Sequence, residues 1–296
     1  MCILYDKKSF RKFRIYRIDS VSMSDCFSRW KRRLGRSLFI LCIALVPMCA
    51  DAAQKPDLPP HLIQSVQDKD IYEGMAALNM MQCPVLEESD CALAYEKIKN
   101  SVVRIQMGNA HGSGIIWEMT PQMLMIATNG HVLEYWDDSD SYVYFPQGYY
   151  ADARVIGISG QYDVGFVSVD VGQFDYAQLL ELRSVPVDET VYSGLEQGSL
   201  MFSVDCASGT DGGRFYEGTV EDVHKYIEDL GAYMLYGHGF AKEGMSGGGT
   251  FDGRGYLIGM TTGGTVMNET ASVPLPDIIE AYGEITAGFR TEAVWR

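Results

Sequence analysis

Ser101-Val102-Val103-Arg104-Ile105-Gln106-Met107 opens the run of segments that decides the fold. SGIIWEM (113–119), QMLMIAT (122–128), SYVYF (141–145), ARVIGI (153–158) and VGFVSVDV (164–171) follow it. Each is rich in β-branched, aromatic or long apolar residues and is bounded by Gly, Pro, Asn or Asp, which is the pattern of short strands. A second series reads ETVYSGL (189–195), SLMFSV (199–204), RFYEGTVEDV (214–223), AYMLYG (232–237), GTFD (249–252) and GYLIGMTT (255–262). About a dozen strands with no helix between them to make parallel crossovers predict antiparallel, barrel-like sheets.

Outward from this block the texture changes. Residues 61–100 read as helical, with Leu62, Val66, Ile71 and Met75 on one face and CALAYEKI (91–98) forming a second stretch. AQKPDLPP (53–60) reads as a linker. At the other end, Leu275, Ile278, Ile279 and Tyr282 keep helical spacing, with Pro274 and Pro276 near the start. The expectation is an all-β domain over 95–296, closed by a C-terminal helix and preceded by a linker and helical segment over 53–94.

Composition excludes several classes. Of 296 residues, 47% are hydrophobic and 21% charged, so the chain can build a core and is not globally disordered. The net charge is −15, but unevenly spread. Residues 1–52 hold eleven of the 24 basic residues and four of the 39 acids, which leaves 53–296 with 13 basic and 35 acidic residues, a net of −22. Such a domain would repel nucleic acid and acidic membranes.

The basic N-terminal segment reads as an export signal. Five cations lie between Arg29 and Arg36, LFILCIALV (38–46) is unbroken apolar sequence, and Ala50-Asp51-Ala52 matches a peptidase site that would be cut before Ala53. The apolar run is too short to cross ~30 Å of hydrocarbon comfortably, so no stable membrane anchor is expected. Met23 is a second candidate start, leaving a signal of ordinary length, and Met48 before Cys49 argues against lipid attachment. The expected location is secreted, periplasmic or cell-envelope. Removal of 1–52 leaves Cys83, Cys91 and Cys206. In an oxidising compartment Cys83 and Cys91, flanking a short polar loop, are the natural disulfide pair, with Cys206 a buried thiol. No clustering of His and Cys suggests a metal site.

Three strings carry chemistry. Gly244-Met245-Ser246-Gly247-Gly248-Gly249 sets a serine among glycines, as a nucleophile on a tight turn requires. Thr128-Asn129-Gly130-His131-Val132 places a histidine where an apolar strand leaves the core, and Asp163-Val164-Gly165 places an acid at the start of a buried strand. A hairpin turn, a structural histidine and a turn-forming acid would explain each alone. The order His, Asp, Ser, with spacings of 32 and 83 residues, is far more specific than any one. His111, His224 and His238 lie in no such string.

With these strings the chain resembles the trypsin-like serine peptidases, nearest to their HtrA-like branch. That branch reads SVV-I, G-S-G, T-N-x-H-V, D-x-A and G-N-S-G-G. The counterparts here are Ser101–Ile105, Gly112-Ser113-Gly114, Thr128–Val132, Asp163–Gly165 and Gly244–Gly248, with Leu257–Met260 and Val273–Pro276 resembling the closing strand and helix start. The resemblance covers about 95–285 and implies two six-stranded antiparallel barrels. It implies His131 as general base, Asp163 as its orienter, Ser246 as nucleophile, and the backbone N–H groups of Gly244 and Ser246 as the oxyanion hole. It implies protein or peptide substrates and no cofactor. Met245 stands where the family has Asn or Asp, so activation by pairing an acid there with a new N-terminus is not expected. Gly165 replaces the usual alanine, and little chain remains for a PDZ domain.

The family pattern also suggests a substrate pocket with Phe240 at its base and Thr261, Thr262 and Gly263 on its wall. None is charged, so cleavage after Arg, Lys or Glu is not expected. The leading reading is an exported serine endopeptidase. The alternative is a catalytically silent binding or chaperone module on the same fold.

Overall fold

A computed structural model of the chain describes residues 3–5, 60–206 and 214–293. The expected signal segment, its expected cleavage motif and the expected linker up to residue 59 lie outside the described residues. The exception is a three-residue strand, β1 (Ile3–Tyr5), which pairs parallel with Gly263–Thr265.

The helical stretch over 61–100 resolves into two helices, α1 (Pro60–Ala77) and α2 (Cys91–Ile98). In α1 the inward face differs from the one read in the sequence: Val66 and Ile71 are exposed, while Tyr72 and Ala76 are buried. Tyr72 takes its large ring into the core because its hydroxyl finds a partner there, donating to the Thr120 carbonyl at 2.8 Å. Asp90 caps α2 by accepting the Leu93 N–H at 2.9 Å. Its residues 91, 94, 95 and 98 are buried, one face of a helix.

Six strands then close into a barrel: β2 (Val102–Met107), β3 (Ala110–Met119), β4 (Met123–Thr128), β5 (Ser141–Tyr144), β6 (Tyr150–Ile158) and β7 (Gly165–Asp170). Their spatial order is β2-β3-β4-β7-β6-β5, every pair antiparallel, with β5 returning to β2. Val103, Ile105, Ile116, Leu124, Ile126, Val143, Val167 and Val169 fill its interior, which explains the apolar texture of those runs.

A second sheet contains β8 (Leu200–Asp205), β9 (Arg214–Ile227), β10 (Ala232–His238), β11 (Gly249–Asp252), β12 (Leu257–Thr265) and β13 (Glu269–Pro274). The order is β12-β11-β8-β9-β10-β13, and β13 also pairs with β12. One expected strand is absent. ETVYSGL forms a short helix, α5 (Glu189–Ser193), preceded by α4 (Tyr176–Glu181) and by a helical turn, α3 (Gly130–Leu133). Asp188 accepts the Thr190 N–H at 2.8 Å, and this cap outweighs the β-preference of Thr190 and Val191.

The C-terminal helix, α6 (Leu275–Ala293), continues directly from β13 and packs back onto the first barrel. Ile278, Ala281 and Ile285 are buried. The Tyr282 ring lies 5.7 Å from Trp117 of β3 and 5.3 Å from Phe166 of β7, and its hydroxyl donates to Glu118.

Candidate active site

The site lies where the ends of barrel strands meet the β10–β11 loop. Strand β4 ends at Thr128, and the chain turns at Asn129 into α3, so His131 emerges at the strand terminus. Val132 and Leu133, both buried, anchor that turn in the barrel core. Asp163 sits two residues before β7, which pairs with β4 throughout. The sheet register therefore sets the acid beside the histidine. Asp163 uses both oxygens on His131: Oδ1 accepts the backbone N–H at 2.9 Å, and Oδ2 lies 2.8 Å from Nδ1. A carboxylate held this way fixes the imidazole plane and directs Nε2 to the opposite side.

Ser246 is carried on the loop 239–248, which is neither helix nor strand. Two glycines shape it. Gly244 has φ +88° and Gly247 φ +86°, both in the left-handed region. A Cβ on Gly247 would fall 2.2 Å from the Ser113 carbonyl and from Thr128 Oγ1, so the serine loop presses directly on the barrel. Ser113 of β3 grips it from that side. Its N–H donates to the Ser246 carbonyl at 2.8 Å and its hydroxyl to the Gly244 carbonyl at 2.7 Å. The Gly244–Met245 and Ser246–Gly247 peptide planes, one on each side of the Met245–Ser246 plane, are thereby oriented by one residue.

Strand β12 completes the seam. Ser246 Oγ donates to the Thr262 carbonyl at 3.2 Å. Asn129 Nδ2 donates at 2.9 Å both to Thr262 Oγ1 and to the Asp163 carbonyl. One buried amide thus joins the acid's loop to the strand that holds the serine. Ser113, Asn129 and Thr262 as positioning groups were not read from the sequence. Ser113 and Asn129 stand in the quoted strings, but only the fold shows what they reach.

The proposed pocket set does not stay together. Thr261 points into the second sheet, where its hydroxyl lies 3.1 Å from Thr250 Oγ1, itself 2.8 Å from Ser272 Oγ. Thr262 points the other way, to Asn129. Successive side chains on a strand face opposite sides, so the two cannot share one wall. The Phe240 ring lies 4.6 Å from Tyr216, on a cleft lined also by Glu217, His238, Met267 and Asn268 rather than by Thr261 and Thr262. Gly263 is in β12 beside Thr262.

Around the loop, Met245 and Ala241 are buried together. Lys242 Nζ is 2.5 Å from Asp205 Oδ2, and Asp205 is fully buried at the end of β8. Burial opposes the lysine's charge, but the hydrogen bond and charge of Asp205 prevail, and its pKa is raised.

The Cys83–Cys91 disulfide is not formed: both are free thiols. Cys83 Sγ lies 2.9 Å from Ser101 Oγ and donates to the Lys97 carbonyl, which turns it away from a disulfide. Burial pushes both thiols up to about 11 and Cys206 to about 12, so all three stay protonated. His111, His224 and His238 are engaged elsewhere. His224 stacks on Tyr233, His238 pairs with Glu221 at 2.6 Å, and burial, then Arg104, lowers His111 to about 4.

The trypsin-like peptidase domain model matches residues 112–260, half of the chain, a span that contains Ser113, His131, Asp163 and Ser246. The chain therefore belongs to the trypsin-like peptidase domain family. None of the curated proteins matches it.

Proposed function

We propose that the chain is a serine endopeptidase that uses His131, Asp163 and Ser246, exported under the direction of residues 1–52 and built on two barrels. The observation that carries the chemistry is the double grip of Asp163 on His131, at the same seam as Ser246. In this mechanism Ser246 Oγ attacks the peptide carbonyl carbon as its proton passes to His131 Nε2. The oxygen of the tetrahedral intermediate is stabilised by the N–H groups of Gly244 and Ser246; the Ser246 N–H shares its peptide plane with the Met245 carbonyl, which the Gly248 N–H holds at 2.9 Å. His131 then protonates the leaving amine, and an acyl-enzyme forms on Ser246. Water, deprotonated by His131, hydrolyses that ester. Asp163 keeps the proton on Nδ1, so that Nε2 is the base, and stabilises the imidazolium.

The test is labelling by a fluorophosphonate together with hydrolysis of a peptide library. The expected outcome is labelling at Ser246 and turnover in the natural chain, with Ser246→Ala folded, unlabelled and slower by about 10⁶. A natural chain that folds but neither labels nor turns over would leave a silent binding module as the reading.

A further inference from the structure

We propose that the Lys242–Asp205 ion pair clamps the loop 239–248 in the shape that presents the Gly244 and Ser246 N–H groups, so that both are positioning residues. The inference rests on the peptidase reading above.

The loop is held unequally at its two ends. Its downstream end is tied by main-chain bonds: the Ser246 carbonyl to Ser113, and the Gly247 N–H to the Thr261 carbonyl at 2.9 Å. Its upstream end, 240–243, is held by side chains: the Phe240 ring on Tyr216, buried Ala241, and Lys242 on Asp205. Of these only the ion pair is directional. The Met245 N–H donates to the Lys242 carbonyl at 3.2 Å, so the backbone of Lys242 is itself the first corner of the turn presenting Gly244, Met245 and Ser246. A shift of Lys242 therefore moves the peptide planes that bind the oxyanion. Met245, where relatives carry an acid or amide, is buried and uncharged, so no charge at that position can do this work. Asp205 can, because a fully buried carboxylate binds its cation tightly: the alternative is an uncompensated charge in the core. Asp205 ends β8, a strand paired to both β9 and β11, so the clamp is fastened to the rigid sheet.

The experiment compares the natural chain with Lys242→Met, Lys242→Arg and the double variant Lys242→Met/Asp205→Asn. It measures kcat and KM, the pH profile, and amide hydrogen exchange over 239–248. Lys242→Met is expected to lower kcat by about 10²–10³, as loss of an oxyanion donor does, with KM nearly unchanged. The pH profile should keep its shape, because His131 and Asp163 are untouched, and exchange over 239–248 should quicken. Lys242→Arg should recover at least a tenth of natural kcat. The double variant leaves no buried charge unpaired, so it reads the clamp even if Lys242→Met unfolds, and it should show the same loss of kcat and of protection. A folded double variant with natural kcat and natural exchange over 239–248 overturns the proposal. If the natural chain itself has no activity the peptidase reading fails, and exchange over 239–248 in the double variant still decides whether the clamp exists.

Discussion

Asp163 shows how much chemistry one residue can fix. Its Oδ1 is committed to the backbone N–H of His131 and its Oδ2 to the ring Nδ1. Replacement by asparagine has only one way to fit. The amide oxygen must stay on the backbone N–H, which needs an acceptor, and the NH₂ group is forced against Nδ1. A donor there selects the imidazole tautomer with its proton on Nε2, which cannot accept the proton of Ser246. Asp163→Asn should therefore keep the fold and lower kcat by about 10⁴. Steady-state kinetics with a matched melting curve checks this. If Asp152 or Asp170 proved to be the sensitive acid instead, the assignment of the acid would be wrong. Asp163 was legible as the candidate acid from its place between His131 and Ser246 in the order of the three strings. The double grip was not, because it depends on the register of β4 against β7.

Among the elements, β12 decides the shape of the cleft. Its alternation sends Thr261 into a hydroxyl cluster and Thr262 to the seam, which a reading of adjacent residues as one wall overlooks. Further along the strand, Gly264 meets the serine loop so closely that a Cβ there would lie 2.6 Å from Ala241 Cβ. Loop and strand meet closely there, and Ala241 and Gly264 at the contact are uncharged. The residue preceding the cut bond should accordingly be small and uncharged. Burying Arg, Lys or Glu there without a partner costs several kcal/mol, so cleavage after them should be suppressed by at least about 10²-fold. The surface charge raises the encounter rate of cationic peptides but acts only over about 8 Å at physiological salt. A peptide library read at two salt concentrations separates the effects, and dominant cleavage after Arg or Lys at both would refute the prediction. The α5 segment teaches a related lesson. β-branched residues alone suggest a strand, but a capping aspartate in front of them makes a helix.

At the scale of the molecule, α6 ties the second sheet to the first barrel. It leaves β13 and lays Ile278, Ala281, Tyr282 and Ile285 towards the core, with Ile285 against Gly157 of β6 and Tyr282 between Trp117 and Phe166. The barrel carrying His131 and Asp163 and the sheet carrying Ser246 thus share one hydrophobic cluster. Ile278→Ala removes a fully buried side chain from it and should destabilise the chain by about 2–5 kcal/mol. Denaturant unfolding should show a lower midpoint with an unchanged slope, because the same surface is exposed on unfolding. A midpoint that did not move would mean that α6 contributes nothing to joining the two.

What the sequence by itself determined was local: strands from short apolar runs between turn formers, a helix from spacing near the C-terminus, and three strings in the order His, Asp, Ser. Those follow from patterns within a few residues of each other, where steric preference and hydrophobic period act directly. Only the tertiary structure decided which face α1 buries, that Cys83 and Cys91 remain thiols, that Thr261 and Thr262 part company, and that Lys242 meets Asp205. Each of these depends on groups far apart in the chain or on the face a residue turns to the core. A long-range contact is set by register and packing, and no local pattern encodes it.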